Sequence, residues 1–496
     1  MLRSIALIIF LLLSLSILRA QPPKREFRAA WIATVGNIDW PSKQGLPSVE
    51  QQQQFISRLD QLKAIGCNVV IVQIRPSADA FYASQIEPWS HYLTGRQGTP
   101  PFPYYDPLTF MITETHKRNM EFHAWFNPFR ALVDSKKNPN PPSHVTFQHP
   151  DWIISYGGKS YIDPGMWPAR DYVISVISDV VKRYDIDAVH LDDYFYPYRI
   201  AGQDFGDYRS YAKYGQGQNK EDWRRGNVSF FIKALNENIK RIKPYMKLGV
   251  SPFGVWRNQS KDPEGSATHG GQTDYDDLYA DVVLWMRNGW VDYLLPQIYW
   301  EHNNHAAPFN VLLPWWNAHR YGRGVYYGLG VYRMVGARNG PWAGTSELLS
   351  QVRDIRRYRD AGYAFYSTVS FDKVTPAIRD SLHKYCIYPA LLPAMRWIDS
   401  IPPAAPVLKA IPSSQGTLLQ WQQVNILKEP LRYVVYRFVN DEPVNTERAD
   451  RILAITQGSE YLDATANRYQ KCTYIVTATD RTWNESRSSN EAVTHL

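Results

Sequence analysis

The sequence predicts a (β/α)8 barrel of the TIM barrel type, followed by a small all-β domain. Between about residues 27 and 388, short apolar segments alternate with amphipathic helical segments, and eight such pairs follow one another. After residue 406, alternation of apolar and polar residues takes over. A chain of 496 residues is long enough for two or three domains.

The eight predicted strands are short and rich in apolar residues. Such runs are typical of parallel strands that are buried on both faces. In chain order the predicted strands are Phe27–Val35, Asn68–Ile74, Glu121–Asn127, Ala188–Asp192, Lys247–Pro252, Asp292–Tyr299, Gly324–Val331 and Gly362–Ser370.

A helical pattern follows each predicted strand. Eight strand–helix units in about 360 residues favour a closed barrel with enlarged loops after several strands. A doubly wound open sheet is the alternative. It is disfavoured because the sequence has no Gly-rich phosphate loop and because the number of strand–helix units, eight, is even. The predicted helices are Val49–Ile65, Pro107–Arg118, Arg170–Tyr184, Asn227–Ile242, Asp276–Arg287, Phe309–His319, Glu347–Ala361 and Thr375–Tyr385.

The amino terminus predicts export. Residues 1–20 resemble a signal peptide, with Arg3, an apolar run and Ala20 as a cleavage point. An uncleaved anchor is the alternative, but the apolar run is short for a membrane span. The three cysteines lie far apart and indicate neither a disulfide framework nor a metal cluster. We therefore expect secretion across the inner membrane of a bacterium, to the periplasm or cell envelope, with no stable membrane span after cleavage.

Composition excludes some functions. Without the two leader arginines, 53 of the 55 basic residues remain against 47 acidic ones, a modest net charge of +6. No Lys/Arg run is present, so nucleic-acid binding is not expected. The aromatic content of 14%, with 17 Trp and 33 Tyr, supplies a large core and candidate platforms for stacking on sugar rings. We expect a monomer.

The carboxyl-terminal part predicts a separate β-sandwich. The Pro-rich stretch Ile401–Pro406 indicates a linker, placed at residues 391–406, between a catalytic domain at 25–390 and a module at 407–496. With a Trp in an early strand and Tyr474 opening a late one, the module resembles a fibronectin type III domain, and Tyr474 would be its tyrosine corner.

The segment His190–Pro197 is the strongest functional signal. Side chains alternate faces along a strand, so His190 and Asp192 share the face that points into the barrel. Asp193 then falls at the turn into a loop that contains Tyr194. A carboxylate at the carboxyl end of a barrel strand, among aromatic rings, is typical of sugar-cleaving sites. The alternative is an Asp pair that caps the next helix or pairs with an Arg.

Five motifs in one order resemble the glycosyl-hydrolase-like family ten domain, over about residues 25–390. The resemblance implies a barrel similar to glycosidases and, from some members, cleavage of peptidoglycan strands in the bacterial envelope. The motifs are Phe27–Val35 with Asn37–Pro41, Val72–Pro76 with Asp79–Tyr82, Ala124–Pro128, His190–Pro197 and Leu295–Trp300.

Glycoside hydrolysis usually needs two carboxyl groups, one an acid and the other a nucleophile or base. We predict Asp192 as the nucleophile or base, with Asp193 as its rival. Counting by twos from Gln297 places Glu301 inward past the sixth strand, so we predict Glu301 as the proton donor, with a raised pKa. Glu87 and Asp79 are rivals for that role.

Neutral and cationic groups are predicted to bind the glycan substrate around the same mouth, and no cofactor is expected. A metal at His302 and His305 is disfavoured, because no known ligand pattern accompanies them. A non-catalytic glycan-binding barrel, or a glycosidase acting on another polysaccharide, is the alternative function. The predicted substrate-binding residues are Arg75, Asn127, His190, Tyr194, Gln297, Tyr299, Trp300 and Trp31.

Overall fold

The computed structural model describes residues 22–134, 141–422, 432–466 and 470–495. The chain divides into two compact units. The first comprises Phe27–Tyr385 and Leu392–Ser400, and the second comprises Ile401–Leu496 with Cys386–Leu391 and the segment that ends at Glu26. The predicted signal peptide, residues 1–20, lies outside the described residues.

The first unit contains a parallel barrel. All eight predicted strands form. Seven of them end earlier than predicted, and the second ends one residue later, at Arg75. We number them β1 to β8 in chain order: Phe27–Ile32, Val69–Arg75, Glu121–Phe126, Ala188–Leu191, Lys247–Val250, Tyr293–Leu294, Gly324–Leu329 (interrupted at Tyr326) and Gly362–Phe365.

The sheet closes through the interrupted strand β7. Its first half, Gly324–Val325, pairs with β6, and its second half, Tyr327–Leu329, pairs with β8. Strands β1 and β8 pair in parallel as well, so each strand has two neighbours. The amide of Tyr326 donates to Leu294 at 2.9 Å and continues the ladder across the interruption. The predicted parallel barrel is therefore confirmed as a nearly closed sheet, interrupted at Tyr326.

A helix follows each barrel strand, as predicted. The apolar faces of these helices pack on the outside of the sheet, and several begin at a Pro or a polar cap, such as Asp106 accepting from the Leu108 amide. The helices, α1 to α8, are Ser48–Ala64, Pro107–Lys117, Trp167–Arg183, Lys220–Ile242, Val282–Arg287, Phe309–Ala318, Ser346–Ile355 and Pro376–Tyr385.

The loops that follow the strands carry further elements. Three short strands form a separate antiparallel sheet between β3 and α3, and short helices lie in several other connections. The strands are Arg130–Leu132, Ile153–Tyr156 and Lys159–Ile162; the short helices are His91–Thr94, Val145–Gln148, Tyr208–Tyr214, Asp274–Asp277 and Ser370–Lys373.

A column of hydrogen bonds runs through the barrel interior. The Trp31 indole N–H donates to Nε2 of His190 at 3.4 Å, so the other ring nitrogen carries the proton and donates to the Tyr293 hydroxyl at 2.9 Å. That hydroxyl donates to Nδ1 of His123 at 2.8 Å, and Nε2 of His123 lies 2.9 Å from Glu121. Burial lowers the pKa of both histidines, so the rings of the column are neutral. They lie between the mouth of the barrel and the buried carboxylate of Glu121.

The central hydroxyl of this column depends on a glycine. Gly249 on β5 leaves room for the Tyr293 ring, because a Cβ at that position would lie 1.9 Å from a ring carbon. No side chain larger than hydrogen fits beside a ring held between two histidines.

The second unit contains a two-layer β-sandwich. Its strands, β9 to β15, form a three-stranded and a four-stranded antiparallel sheet around one core, which includes Trp421, Tyr433, Val435, Tyr474 and Val476. The Tyr474 hydroxyl donates to the Asp463 side chain at 2.8 Å, rather than to backbone as in a tyrosine corner. The strands are Val407–Ser413, Gly416–Gln422, Arg432–Val439, Ile452–Thr456, Glu460–Asp463, Lys471–Thr479 and Ala492–His495.

The segment before β1 belongs to this second unit. Lys24 and Arg25 form ion pairs with the buried carboxylate of Glu485, at 2.7 and 3.0 Å, and the Glu26 amide donates to the Leu391 carbonyl. The Tyr436 hydroxyl also donates to Glu485. The unit is therefore built from three separate parts of the sequence.

Among the described residues, none of the helices combines the length and the apolar character that a membrane crossing requires.

We expect Gly249→Ala to lower the free energy of unfolding by about 3 kcal/mol, the upper end of the cost of overpacking, because the new methyl group overlaps the Tyr293 ring. Urea denaturation measures the change. Gly226→Ala in α4 is the matched control, since nothing lies within 4 Å of its Cβ position and alanine favours a helix. Equal stability of the two variants would contradict the packing described here.

Candidate functional site

Two consecutive carboxyl groups lie at the carboxyl end of β4. Asp192 follows the inward His190 by two positions and points to the β3 side, where its Oδ2 accepts from the Asn127 amide nitrogen. Its Oδ1 accepts from the backbone N–H of Tyr194 at 3.2 Å. The residue is 4% exposed. The alternation of side chains along β4 thus predicted the direction of Asp192 correctly.

A chain of amides orients the group that binds Asp192. The backbone N–H groups of Thr34 and Val35 donate to the Gln73 side-chain oxygen at 3.0 and 2.8 Å. Because backbone N–H groups only donate, the Gln73 nitrogen must face Asn127, and it donates to Oδ1 there at 2.5 Å. The Asn127 nitrogen is thereby aimed at Asp192. We call this chain, from Thr34 and Val35 through Gln73 and Asn127 to Asp192, the amide relay.

The relay moderates the ionisation of Asp192. Burial raises the pKa of this carboxyl, while the positive charge of Arg130 and the hydrogen bonds from Tyr194 and Asn127 lower it. Arg130 is held in place because its Nε donates to the Pro76 carbonyl at 2.8 Å, with the Tyr194 ring 5.4 Å from its guanidinium carbon. Asp192 is therefore the carboxyl of the pair that ionises first.

Asp193 has the opposite surroundings. It is 1% exposed and its Oδ2 accepts from the Tyr198 hydroxyl. Burial raises its pKa to about 7, and the neighbouring charge of Asp192 adds to this effect, against hydrogen bonds from Tyr198 and Gln297. Two adjacent carboxyls thus hold different protonation states near neutral pH, the condition for one acid and one charged group in a single site.

A third buried carboxyl, Asp274, lies beside Asp193. It begins the short helix after β5, its Oδ1 accepts from the Phe253 amide at 2.9 Å, and its Oδ2 has no hydrogen-bond partner among the described residues. Burial raises its pKa well above the ordinary value, and the charge of Asp193 raises it further. Burial and the charge of Asp193 therefore both favour the protonated form of Asp274.

The predicted raised pKa of Glu301 is wrong. Burial raises the pKa, but hydrogen bonds from Asn304 at 2.8 Å and Trp342 at 3.2 Å, with the charge of Arg333, outweigh this and lower it. The half-buried Glu301 is therefore ionised at neutral pH, the reverse of what a proton donor needs. Strand β6 ends at Leu294, so counting by twos from Gln297 has no basis in the backbone.

The second-strand rivals and Arg75 are held in structural contacts. Arg75 is fully buried, and its Nε and Nη2 donate to the two oxygens of Glu87 at 2.7 and 2.5 Å. Its Nη1 donates to the Asn127 and Pro128 carbonyls. Asp79 is fully buried and accepts from the Ser77 amide. The prediction that Arg75 binds substrate is corrected: it fixes the backbone that carries Asn127.

Three more predicted substrate-binding residues lie beneath the mouth instead. His190 and Asn127 are fully buried, and Trp31 is 2% exposed, too little to stack on a sugar ring. The ring nitrogens of His190 contact Tyr293, Ser251 and Trp31. These side chains position the site from inside the barrel.

The other four predicted residues remain accessible around the mouth. Tyr194, Gln297, Tyr299 and Trp300 are all half-buried. Tyr194 stacks on Tyr198, with ring centroids 5.1 Å apart, and Trp300 meets the Phe253 ring edge-on at 5.6 Å. The carboxyl groups thus lie at the floor of a mouth walled by aromatic rings, which can contact the apolar faces of a sugar.

Within the described residues, no group of three or more His, Cys, Asp or Glu side chains is arranged to hold a metal ion. The two ring nitrogens of His302 lie 2.7 and 2.9 Å from Glu347 and Asp354, on helix α7.

Some residues of the site were not predicted, and only one of them has a clear signal in the sequence. Gln73 is an uncharged polar residue within the fully buried strand β2, which is a signal that could have found it. Arg130, Tyr198 and Asp274 lie in the connections after β3, β4 and β5, where the sequence shows no long periodic pattern that would indicate the direction of a side chain. The acidic run around Asp274 looks like an ordinary helix cap in the sequence.

The family follows from a comparison of sequences. Residues 26–342 match the family described as Glycosyl hydrolase-like 10. The chain belongs to this family. The matched residues include β1 to β7 with Asp192, Asp193 and Asp274.

Two relatives carry names of the same kind. Glycosyl hydrolase YngK of Bacillus subtilis (strain 168) is 45% identical over 481 residues, which cover 94% of this chain and 92% of that protein. Glycosyl hydrolase DigH of Escherichia coli (strain K12) is 42% identical over 313 residues, covering 60% of this chain and 70% of that protein.

Solved structures match more weakly. The PgaB (BpsB) glycoside hydrolase domain from Bordetella bronchiseptica covers 73% of this chain and 99% of its own, at 11% identity and a TM-score of 0.46. The catalytic domain of β-amylase from Paenibacillus polymyxa covers 74% and 99%, at 11% identity and a TM-score of 0.47. Both are too distant to carry an argument about activity.

We expect Gln73→Glu to raise the pKa of Asp192 by about 1 unit. The new carboxylate still accepts from Thr34 and Val35, but its second oxygen faces Asn127 Oδ1, so the Asn127 amide turns and Asp192 loses its donor. A 13C NMR titration of aspartate-labelled protein measures this, with the signal assigned by its loss in Asp192→Asn. Gln73→Met is the uncharged control and should give a smaller rise. An unchanged pKa in Gln73→Glu would refute the relay.

Asp193 should make the protein less stable as pH rises from about 4 to 7. The native state keeps a proton on this carboxyl up to about pH 7, whereas the unfolded state releases it near the ordinary value of 3.8. Asp193→Asn should therefore be more stable than the wild type at pH 8, by at most about 4 kcal/mol, and equally stable at pH 4. Urea denaturation at the two pH values measures the difference, and a constant difference would contradict the raised pKa.

Proposed function

We propose that this protein is a glycoside hydrolase that cleaves glycan strands of the bacterial cell envelope, most of all those of peptidoglycan, with Asp192 and Asp193 as its carboxyl pair. The observation that carries the proposal is a pair of adjacent buried carboxyl groups at the mouth of a (β/α)8 barrel with different hydrogen-bond donors, Asn127 for Asp192 and Tyr198 for Asp193. The family and the names of the relatives support hydrolysis of glycosidic bonds.

Asp193 has the protonation state of a general acid. The Tyr198 hydroxyl donates to Oδ2, which leaves Oδ1 to carry the proton that is delivered to the glycosidic oxygen as the bond to the leaving sugar breaks. A pKa of about 7 keeps much of this group protonated at neutral pH and allows it to release the proton easily. Glu301 is not needed for this step.

Asp192 supplies the negative charge. The amide relay holds its carboxylate toward the mouth, where it acts at the anomeric carbon as nucleophile, or as the base that activates water. Asn127 and Arg130 keep it ionised while Asp193 is protonated. The separation of roles follows from the Asn127 donor and the positive charge of Arg130, which both act on Asp192 from the β3 side of the pair.

The substrate and location rest on two further features. The aromatic mouth, with Tyr194, Tyr299 and Trp300 half-buried, suits a chain of pyranose rings. The apolar leader predicts export to the compartment in which peptidoglycan lies. We also propose that the sandwich is a fibronectin type III-like module, because its three-plus-four strand arrangement and antiparallel pairing fit that architecture.

The experiment incubates the mature protein with peptidoglycan strands stripped of their peptides, with intact peptidoglycan and with neutral polysaccharides, and identifies the products by mass. We expect soluble oligosaccharides from the stripped strands. Asp192→Asn should lower kcat by at least about 10³-fold with little change in folding, since it removes the charge but almost no volume. Binding of strands without any product would favour a glycan-binding barrel instead.

Glu301→Gln separates the two candidates for the acid. If Asp193 is the acid, Asp193→Asn should slow the cleavage of natural strands far more than that of aryl glycosides with good leaving groups, which need little proton assistance. Glu301→Gln should then show no such selectivity. The reverse result, selective loss in Glu301→Gln alone, would return the acid role to Glu301.

A further inference from the structure

Exposed aromatic rings gather at the edge of the barrel, away from the carboxyl pair. Trp167 is the first residue of α3 and is 56% exposed, and its indole stacks on the Tyr214 ring with centroids 5.4 Å apart and planes 19° from parallel. Phe230 on α4 is 55% exposed. Large exposed rings that lie together are unusual on a protein surface that binds nothing.

A cavity of about 490 Å³ lies between these rings, within the range of about 300–1,000 Å³ typical of small-molecule sites. Its wall combines flat apolar rings with short polar side chains. A pyranose ring has the matching chemistry, because its C–H groups form an apolar face and its hydroxyls form a polar edge. The polar lining residues include Asp171, Gln216 and Gln218.

The wall also contains a buried donor. Arg170 is 3% exposed, its guanidinium carbon lies 4.9 Å from the Phe230 ring centre, and its Nη1 donates to Asn227 Oδ1 at 2.7 Å. Its Nε–H has no hydrogen-bond partner among the described residues. An unpaired buried donor is costly. A hydroxyl group bound in the cavity can satisfy it after a small movement of the side chain.

Trp167 and Tyr214 lie at the same end of the barrel as the carboxyl pair. In a (β/α)8 barrel, the loops after the strands and the starts of the following helices lie at the catalytic end. Trp167 starts the helix after β3, and Tyr214 lies in the connection from β4 to α4, the same connection that begins with Asp192 and Asp193. One long ligand can therefore meet both places.

We propose that Trp167, Tyr214 and Phe230, with Arg170 at their base, form a second glycan-binding site that holds a polysaccharide strand at a distance from the bond that is cut. The identity of the ligand as a glycan rests on the proposed function. A site of this kind raises affinity only for strands long enough to occupy it together with the mouth, so it favours polymers over short oligosaccharides.

The test measures binding without turnover, in the Asp192→Asn background. Calorimetry compares Trp167→Ala with its parent, using peptide-free peptidoglycan strands separated into short and long fractions. We expect about tenfold weaker binding of long strands, from the loss of one stacking contact, and unchanged binding of disaccharides and tetrasaccharides. Tyr214→Ala is the second variant. Phe102→Ala is the matched control, because that ring is 84% exposed and lies elsewhere.

Unchanged affinity of Trp167→Ala and Tyr214→Ala for long strands would overturn this proposal, as would an equal loss for short and long strands. Circular dichroism checks that each variant is folded. Failure of the second-site proposal can be told apart from failure of the proposed function. If only the second site is wrong, the wild type still releases products from the strands. If the proposed function is wrong, the wild type releases no products and the Asp192→Asn protein binds no strand of any length.

Discussion

The direction of one set of hydrogen bonds determines the chemistry of the site. Two backbone N–H groups, on Thr34 and Val35, can only donate, and this fixes the orientation of the Gln73 amide, then that of Asn127, and finally the donor offered to Asp192. The first and fourth strands of the barrel are thus linked across its mouth. Every group that leads to Asp192 in this link is an uncharged amide. The Asp192 carboxylate is therefore oriented by dipoles and not by an ion pair within the link.

The column of rings beneath Asp192 is uncharged as well. Beneath Asp192 lie the neutral rings of His190, Tyr293 and His123, and the buried ion pair of Glu121 with Lys247 is kept at the other end of the strands. Charges buried near Asp192 would shift its pKa strongly at low dielectric. Because the column is neutral, the difference between Asp192 and Asp193 is decided by their immediate neighbours.

The strands and helices could be predicted from local sequence patterns. The site was predicted less well, because it depends on contacts between segments that are distant in the sequence. Period-two alternation holds within a real strand, so it gave the inward direction of Asp192 on β4. It failed for Glu301, because β6 ends at Leu294. The amide relay forms only when neighbouring strands pair in the right register, because its members follow or lie on four different strands. Asp274 lies in the connection after β5, more than twenty residues beyond that strand. No single segment of the sequence therefore predicts either feature.

The segment before β1 ties the beginning of the chain to its end. Arg25 and Glu485 are 460 residues apart in sequence, and strand β1 needs β8 beside it to close the barrel. Because synthesis proceeds from the amino terminus, β1 cannot pair with β8 until Phe365 has been added, and the contact of Arg25 with Glu485 waits for residue 485. Such long-range contacts delay folding, so the barrel and the second unit are both completed only late in synthesis.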